Sequence, residues 1–184
     1  MRPALAALLC ALALAGCQKK AEPAPPAAVA AAPTGFQHEA GFDAQGFYKP
    51  AEPAGSGPMK LTAVAIGAPS DFETWEGGKR EDVFGPIALT FEDPSSPVED
   101  AENGQRHKVR VEVKPTAYKL TPGAFAFRGQ DAKLGPVAFD GAFDTAALAQ
   151  AKAGQGEARP VLTGTLTTGG GPGVAVKLTY QSGD

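Results

Sequence analysis

Cysteine is nearly absent from this chain: two residues in 184, Cys10 and Cys17, both close to the amino terminus. From position 18 onward no thiol exists to form a disulfide, ligate zinc or act as a nucleophile. Whatever folds there must rest on a hydrophobic core of its own. Histidine is almost as scarce, with His38 and His107 only. A lone imidazole without nearby Cys, His or paired carboxylates completes no tetrahedral shell, so no metal is expected. His107 has no serine motif or carboxylate at a telling spacing beside it and reads as structural. A basic surplus is missing too: 17 Lys and Arg stand against 20 Asp and Glu, a net charge of −3 with the signs interspersed. That excludes the basic field of a nucleic-acid binder. Gly169-Gly170-Gly171 lacks both the following helix and the Gly-Lys-Ser/Thr of a phosphate loop, so no nucleotide cofactor is expected. Long apolar runs are also missing, since Ala4 to Ala15 is short of the about 20 residues that a spanning helix needs.

That short run is informative all the same. It follows the positive charge of Arg2 and ends in small residues, the pattern of a secretory signal peptide, here residues 1–16. Leu14-Ala15-Gly16-Cys17 resembles the lipobox of bacterial lipoproteins. The resemblance implies that the chain is cut just before Cys17, that Cys17 carries the acyl chains, and that the lipid bilayer is a partner through them. Gln18 stands where an Asp would imply retention in the inner membrane, so the family's sorting rule implies an outer-membrane anchor facing the periplasm.

Residues 17–58 then read as a tether. Pro23, Pro25, Pro26 and Pro33 among alanines favour extended, polyproline-like chain over a packed core. Within the tether, residues 35–48 repeat a Gly-Phe pair three times and carry Phe36, Phe42, Phe47 and Tyr48. Disordered spacers are poor in aromatics. Two readings stand: an arm that packs back on the domain, or a docking segment whose four rings engage an envelope protein or a cell-wall component.

Residues 59–184 read as one β domain. Period-two alternation marks strands at 59–66, 87–91, 109–113, 118–120, 124–127, 137–143, 161–168 and 174–180. Ser70 and Glu73 have capping-box spacing ahead of a short helix over 71–76, and Asp144 caps a better one over 145–153. Pro122-Gly123 suits a type II turn. The acidic stretch 92–104 reads as a solvated loop, its spacing being unlike a calcium loop. The expected fold class is all-β: a mostly antiparallel sandwich or barrel of about seven strands with one or two short helices. An offset of fifty residues aligns Phe84-Gly85-Pro86 with Leu134-Gly135-Pro136, Gly104-Gln105 with Gly154-Gln155, and Pro122-Gly123 with Pro172-Gly173, which suggests an internal duplication.

No catalytic constellation stands out, so the expectation is a non-enzymatic binding or scaffolding lipoprotein of the cell envelope. The alternative is a module for a small apolar ligand or a glycan, with Trp75, Tyr118, Phe125 and Phe127 lining a sheet face or barrel mouth. A hydrolase built on paired carboxylates ranks third.

Overall fold

The computed structural model describes residues 32–80, 85–101 and 104–182. The signal segment, the lipobox and Cys17 lie outside the described residues. The fold is all-β, with, among the described residues, ten strands in one curled sheet, a separate two-stranded ribbon and two short helices.

In chain order the strands are β1 (Phe36–His38), β2 (Gly46–Pro50), β3 (Lys60–Ile66), β4 (Ile87–Glu92), β5 (Val98–Ala101), β6 (Gly104–His107), β7 (Arg110–Val113), β8 (Pro115–Thr121), β9 (Ala124–Asp131), β10 (Gly135–Phe143), β11 (Pro160–Thr168) and β12 (Val174–Gln181). Helix α1 (Pro69–Glu76) joins β3 to β4, and α2 (Thr145–Lys152) joins β10 to β11. The large sheet runs β1-β8-β9-β10-β11-β12-β2-β3-β4-β7. Only Lys114 separates β7 from β8, so one bent stretch pairs with β4 through its first half and with β9 through its second. The row of strands thereby returns to itself. Pro115 sits at the bend, where the ladder with β9 shifts register between Pro115 and Ala117, as expected of a residue that cannot donate a ladder hydrogen bond.

Every pairing in this sheet is antiparallel except β1 with β8. The resulting up-and-down path brings both helices, the β8–β9 turn and the 39–45 connection to the same end. Alternate side chains point inward. Tyr48, Leu61, Val64, Leu89, Phe91, Phe125, Phe127, Phe139, Leu162 and Leu178 fill the interior and are buried.

The fifty-residue offset has a structural counterpart. It carries β4 into β10, the β7–β8 path onto β11, and β9 onto β12 residue for residue. Each unit is a three-strand meander, and the connection between its first two strands is the β5–β6 ribbon in one and α2 in the other. The acidic stretch expected as a loop thus holds a ribbon, with Glu99 paired to Arg106 across it.

Local details correct other expectations. Gly123 has no positive φ, so the Pro122-Gly123 turn is not type II. Helix α1 starts earlier than expected, at Pro69, with Ala68 as its cap residue, and the carboxylate that accepts from Ala68 N, at 2.8 Å, is that of Asp71 rather than Glu73. Asp144 does cap α2, accepting from Ala147 N at 2.8 Å. The sheet also has more strands than the expected seven, partly because residues ahead of Met59 supply β1 and β2.

Candidate functional site

The Gly-Phe segment is built into the sheet. Strand β2 lies between β12 and β3, with Tyr48 opposite Tyr180 and Val64. Tyr48 is fully buried, and its hydroxyl donates to Ala44 O at 2.5 Å; burial pushes that phenol well above its ordinary range. Phe42 packs edge-on against Phe143 at 5.2 Å. Phe36 lies between Trp75 at 6.2 Å and Tyr118 at 5.2 Å, with the Arg80 guanidinium 4.4 Å from its ring centroid. Of the four rings considered for docking, Phe47 alone stays open, 46 % exposed. The alternation of the strand explains this: Tyr48 points in, so its neighbour must point out.

The four rings considered for a ligand do not form an exposed patch. Phe125, Phe127 and Tyr118 are fully buried and Trp75 is 5 % exposed. Phe125 packs on Phe139 and Phe143, while Tyr118 packs on Phe36 and Phe72. They fill the interior of a curled sheet that has no disulfide to assist it. The proposal that they line a sheet face or mouth is therefore corrected: they are core.

Two arrangements at the helix-capped end remain as candidates. The first is a groove of about 590 Å³. Its floor is the outer face of neighbouring strands, where Phe47, Ala65 and Ala88 stand side by side in register. Small residues at 65 and 88 leave the Phe47 ring standing above its neighbours. Asp71 and Glu112 also line the groove, as does the Lys152–Asp43 pair at 2.7 Å. The Lys152 ammonium beside Asp43 holds that carboxyl below its ordinary value.

The second arrangement is a half-buried polar cluster under α1. Glu76 Oε1 accepts from Tyr118 Oη at 2.8 Å and from His38 Nδ1 at 2.9 Å, the imidazole being the donor because its partner is a carboxylate. Burial and the neighbouring Glu76 push the Tyr118 phenol well above its ordinary range. The His38 ring stacks on Phe72 at 4.9 Å. His38 Nε2 and Trp75 Nε1 are buried without a partner among the described residues, and such a group typically costs about 1–3 kcal/mol. The cavity beside His38 is only about 10 Å³, room for roughly one water. The cluster therefore has carboxylate, imidazole and phenol in contact but no space for a substrate. His107, by contrast, pairs Nδ1 with Ser96 O at 2.9 Å in the ribbon.

Sequence reasoning missed the cluster because its members lie 38 and 42 residues apart, with no local pattern to connect them. A consequence is measurable in urea. Glu76→Ala leaves the Tyr118 hydroxyl and the half-buried His38 imidazole without their acceptor and is expected to lower the unfolding free energy by about 1–2 kcal/mol. Glu76→Gln keeps an acceptor oxygen and should lose less than half as much; equal losses would mean that the hydrogen bonds do not carry the effect.

Compared with protein-family models, with curated proteins and with solved structures, the chain matches none.

Proposed function

We propose that this chain is a lipid-anchored outer-membrane protein facing the periplasm, whose β domain is a non-enzymatic binding module for another component of the envelope. The groove around Phe47 is the contact surface. The observation that carries this reading is the single open aromatic ring among the described residues. Phe36, Phe42, Tyr48, Trp75, Tyr118, Phe125 and Phe127 are all used in packing, whereas Phe47 stands exposed over Ala65 in a groove beside two carboxylates. Aromatic anchors of this kind commonly dominate binding energy. An anchored domain on an Ala/Pro-rich tether also has the reach to meet a partner some distance from the bilayer.

The test is photo-crosslinking in cells from Ala65 and from Ala88, with Thr165 on the outer face of β11 as the control position. One envelope species is expected to crosslink from the two groove positions, to be missing from position 165, and to fall at least about tenfold with Phe47→Ser, the size of a hot-spot loss. Crosslinks of equal yield from all three positions would overturn the reading.

The volume of the groove, about 590 Å³, favours one second reading, a small apolar ligand or a glycan stacked on Phe47. Native mass spectrometry of the domain with cell-wall glycan fragments separates the two, since a retained fragment lost with Phe47→Ser supports the ligand and not the protein partner.

A further inference from the structure

The strand that the tether runs into is the least secured in the sheet. Strand β1 has three residues, and it alone pairs in parallel, with β8. Around that short ladder, Tyr118 N donates to Gly35 O and Glu39 N to Leu120 O, each at 2.9 Å. The other edge of β8 belongs to β9, so the edge that β1 covers is the only one β8 has left. Phe36 and His38 lie two apart on one face of β1, and each fills a seat made by other elements. The first seat is walled by Trp75, Tyr118 and Arg80; the second is formed by Phe72 and the Glu76 carboxylate. The two buried ring nitrogens without a partner among the described residues, on His38 and Trp75, both lie at this seam.

We propose that the seam between β8 and α1 is a strand-acceptor site, with β1 as its resident occupant and an extended segment of another protein as its ligand. The ligand carries an aromatic residue followed, two positions on, by a hydrogen-bond donor. The resident strand defines this chemistry: backbone groups extend the β8 ladder, as in strand addition to an exposed sheet edge, and alternate side chains take the two seats. Lys or Arg in the second seat meets the Glu76 carboxylate as a hydrogen-bonded ion pair. An incoming Phe-x-Arg segment thus competes with the resident Phe36-Gln37-His38. Phe47 takes no part, so this site stands or falls separately from the groove.

Trp75 is the only tryptophan of the chain and sits against the Phe36 seat, so its fluorescence reports occupancy. The probe is a synthetic peptide of sequence Thr-Gly-Phe-Gln-Arg-Glu-Ala, with Thr-Gly-Ala-Gln-Ala-Glu-Ala as the control. In the mature chain carrying Phe36→Ala and His38→Ala both seats are empty. Trp75 emission should shift to the red there, and the first peptide should reverse the shift while the control does not. The unaltered chain should bind the first peptide at least about tenfold more weakly, because β1 must leave first. No reversal in a variant with unchanged far-UV circular dichroism, or equal effects of the two peptides, overturns the proposal. Hydrogen exchange on the unaltered chain decides it independently of how the variant folds. The Tyr118 and Glu39 amides should exchange at least about a hundredfold faster than amides in the β9–β10 ladder, as expected of a strap that opens locally. Rates equal to those of the β9–β10 ladder overturn it.

Discussion

Phe139→Ala is expected to lower the unfolding free energy by about 3–5 kcal/mol, the range for removing a fully buried aromatic ring. The size of the effect follows from where the ring lies. Phe139 is in the middle of β10, opposite Phe127 on one neighbouring strand and Leu166 on the other, and it packs at a tilt on Phe125, with 5.4 Å between ring centroids. Its edge covers the paired glycines Gly141 and Gly164: a Cβ at position 164 would stand 2.7 Å from Phe139 Cε1 and 2.5 Å from Asp140 O. Those two strands therefore approach without side chains so that the ring can lie over them. A domain of this size has roughly 5–15 kcal/mol in total, and this one has no disulfide to hold a weakened core together. Urea unfolding of the unlipidated chain checks the value: the midpoint should fall with an unchanged slope, and a loss under about 1 kcal/mol would contradict the packing described.

The strands were legible because their signal is local. Val109, Val111 and Val113 alternate with charged residues, and Asp144 announces α2 by a short-range cap. β2 was illegible for the opposite reason. Its partners are β3 and β12, and β12 is about 130 residues away, while Gly46 and Pro50 at its ends read as linker. β1 is too short to show any period, and its place depends on a seat built from α1 and β8. The four candidate ligand rings show the limit of residue type as evidence: nothing in the local sequence around Phe125 and Phe127 says which face of the hairpin is covered. That depends on the sheet curling round until Phe125 meets Phe139 and Phe143. The seam cluster is the same case, since Glu76 ends a helix that sequence alone places on no particular strand. The fifty-residue correspondence was legible in position but not in form, because an acidic ribbon in one unit stands where a helix stands in the other.

Cys17→Ala is expected to abolish acyl labelling of the chain and to remove it from the outer-membrane fraction. Burial of a methylene in the bilayer is worth about 0.8 kcal/mol, so a chain of a dozen or more contributes on the order of 10 kcal/mol. If Cys17 carries two or more such chains, as proposed, attachment is close to all-or-none, and the chain's net charge of −3 adds no general attraction to anionic headgroups. Because the lipobox resemblance implies cleavage next to Cys17, the alanine variant also keeps its apolar leader; a companion chain with a cleavable secretory signal in place of residues 1–17 should appear free in the periplasm. Both should retain the unfolding midpoint of the parent domain. Among the described residues, the first pairings tie residues 35–39 to β8. Anchoring and folding are thus expected to separate cleanly. If the companion chain instead stayed with the outer membrane, the β domain itself would hold a membrane-bound partner, and crosslinking from Ala65 and Ala88 would then be the means of identifying it.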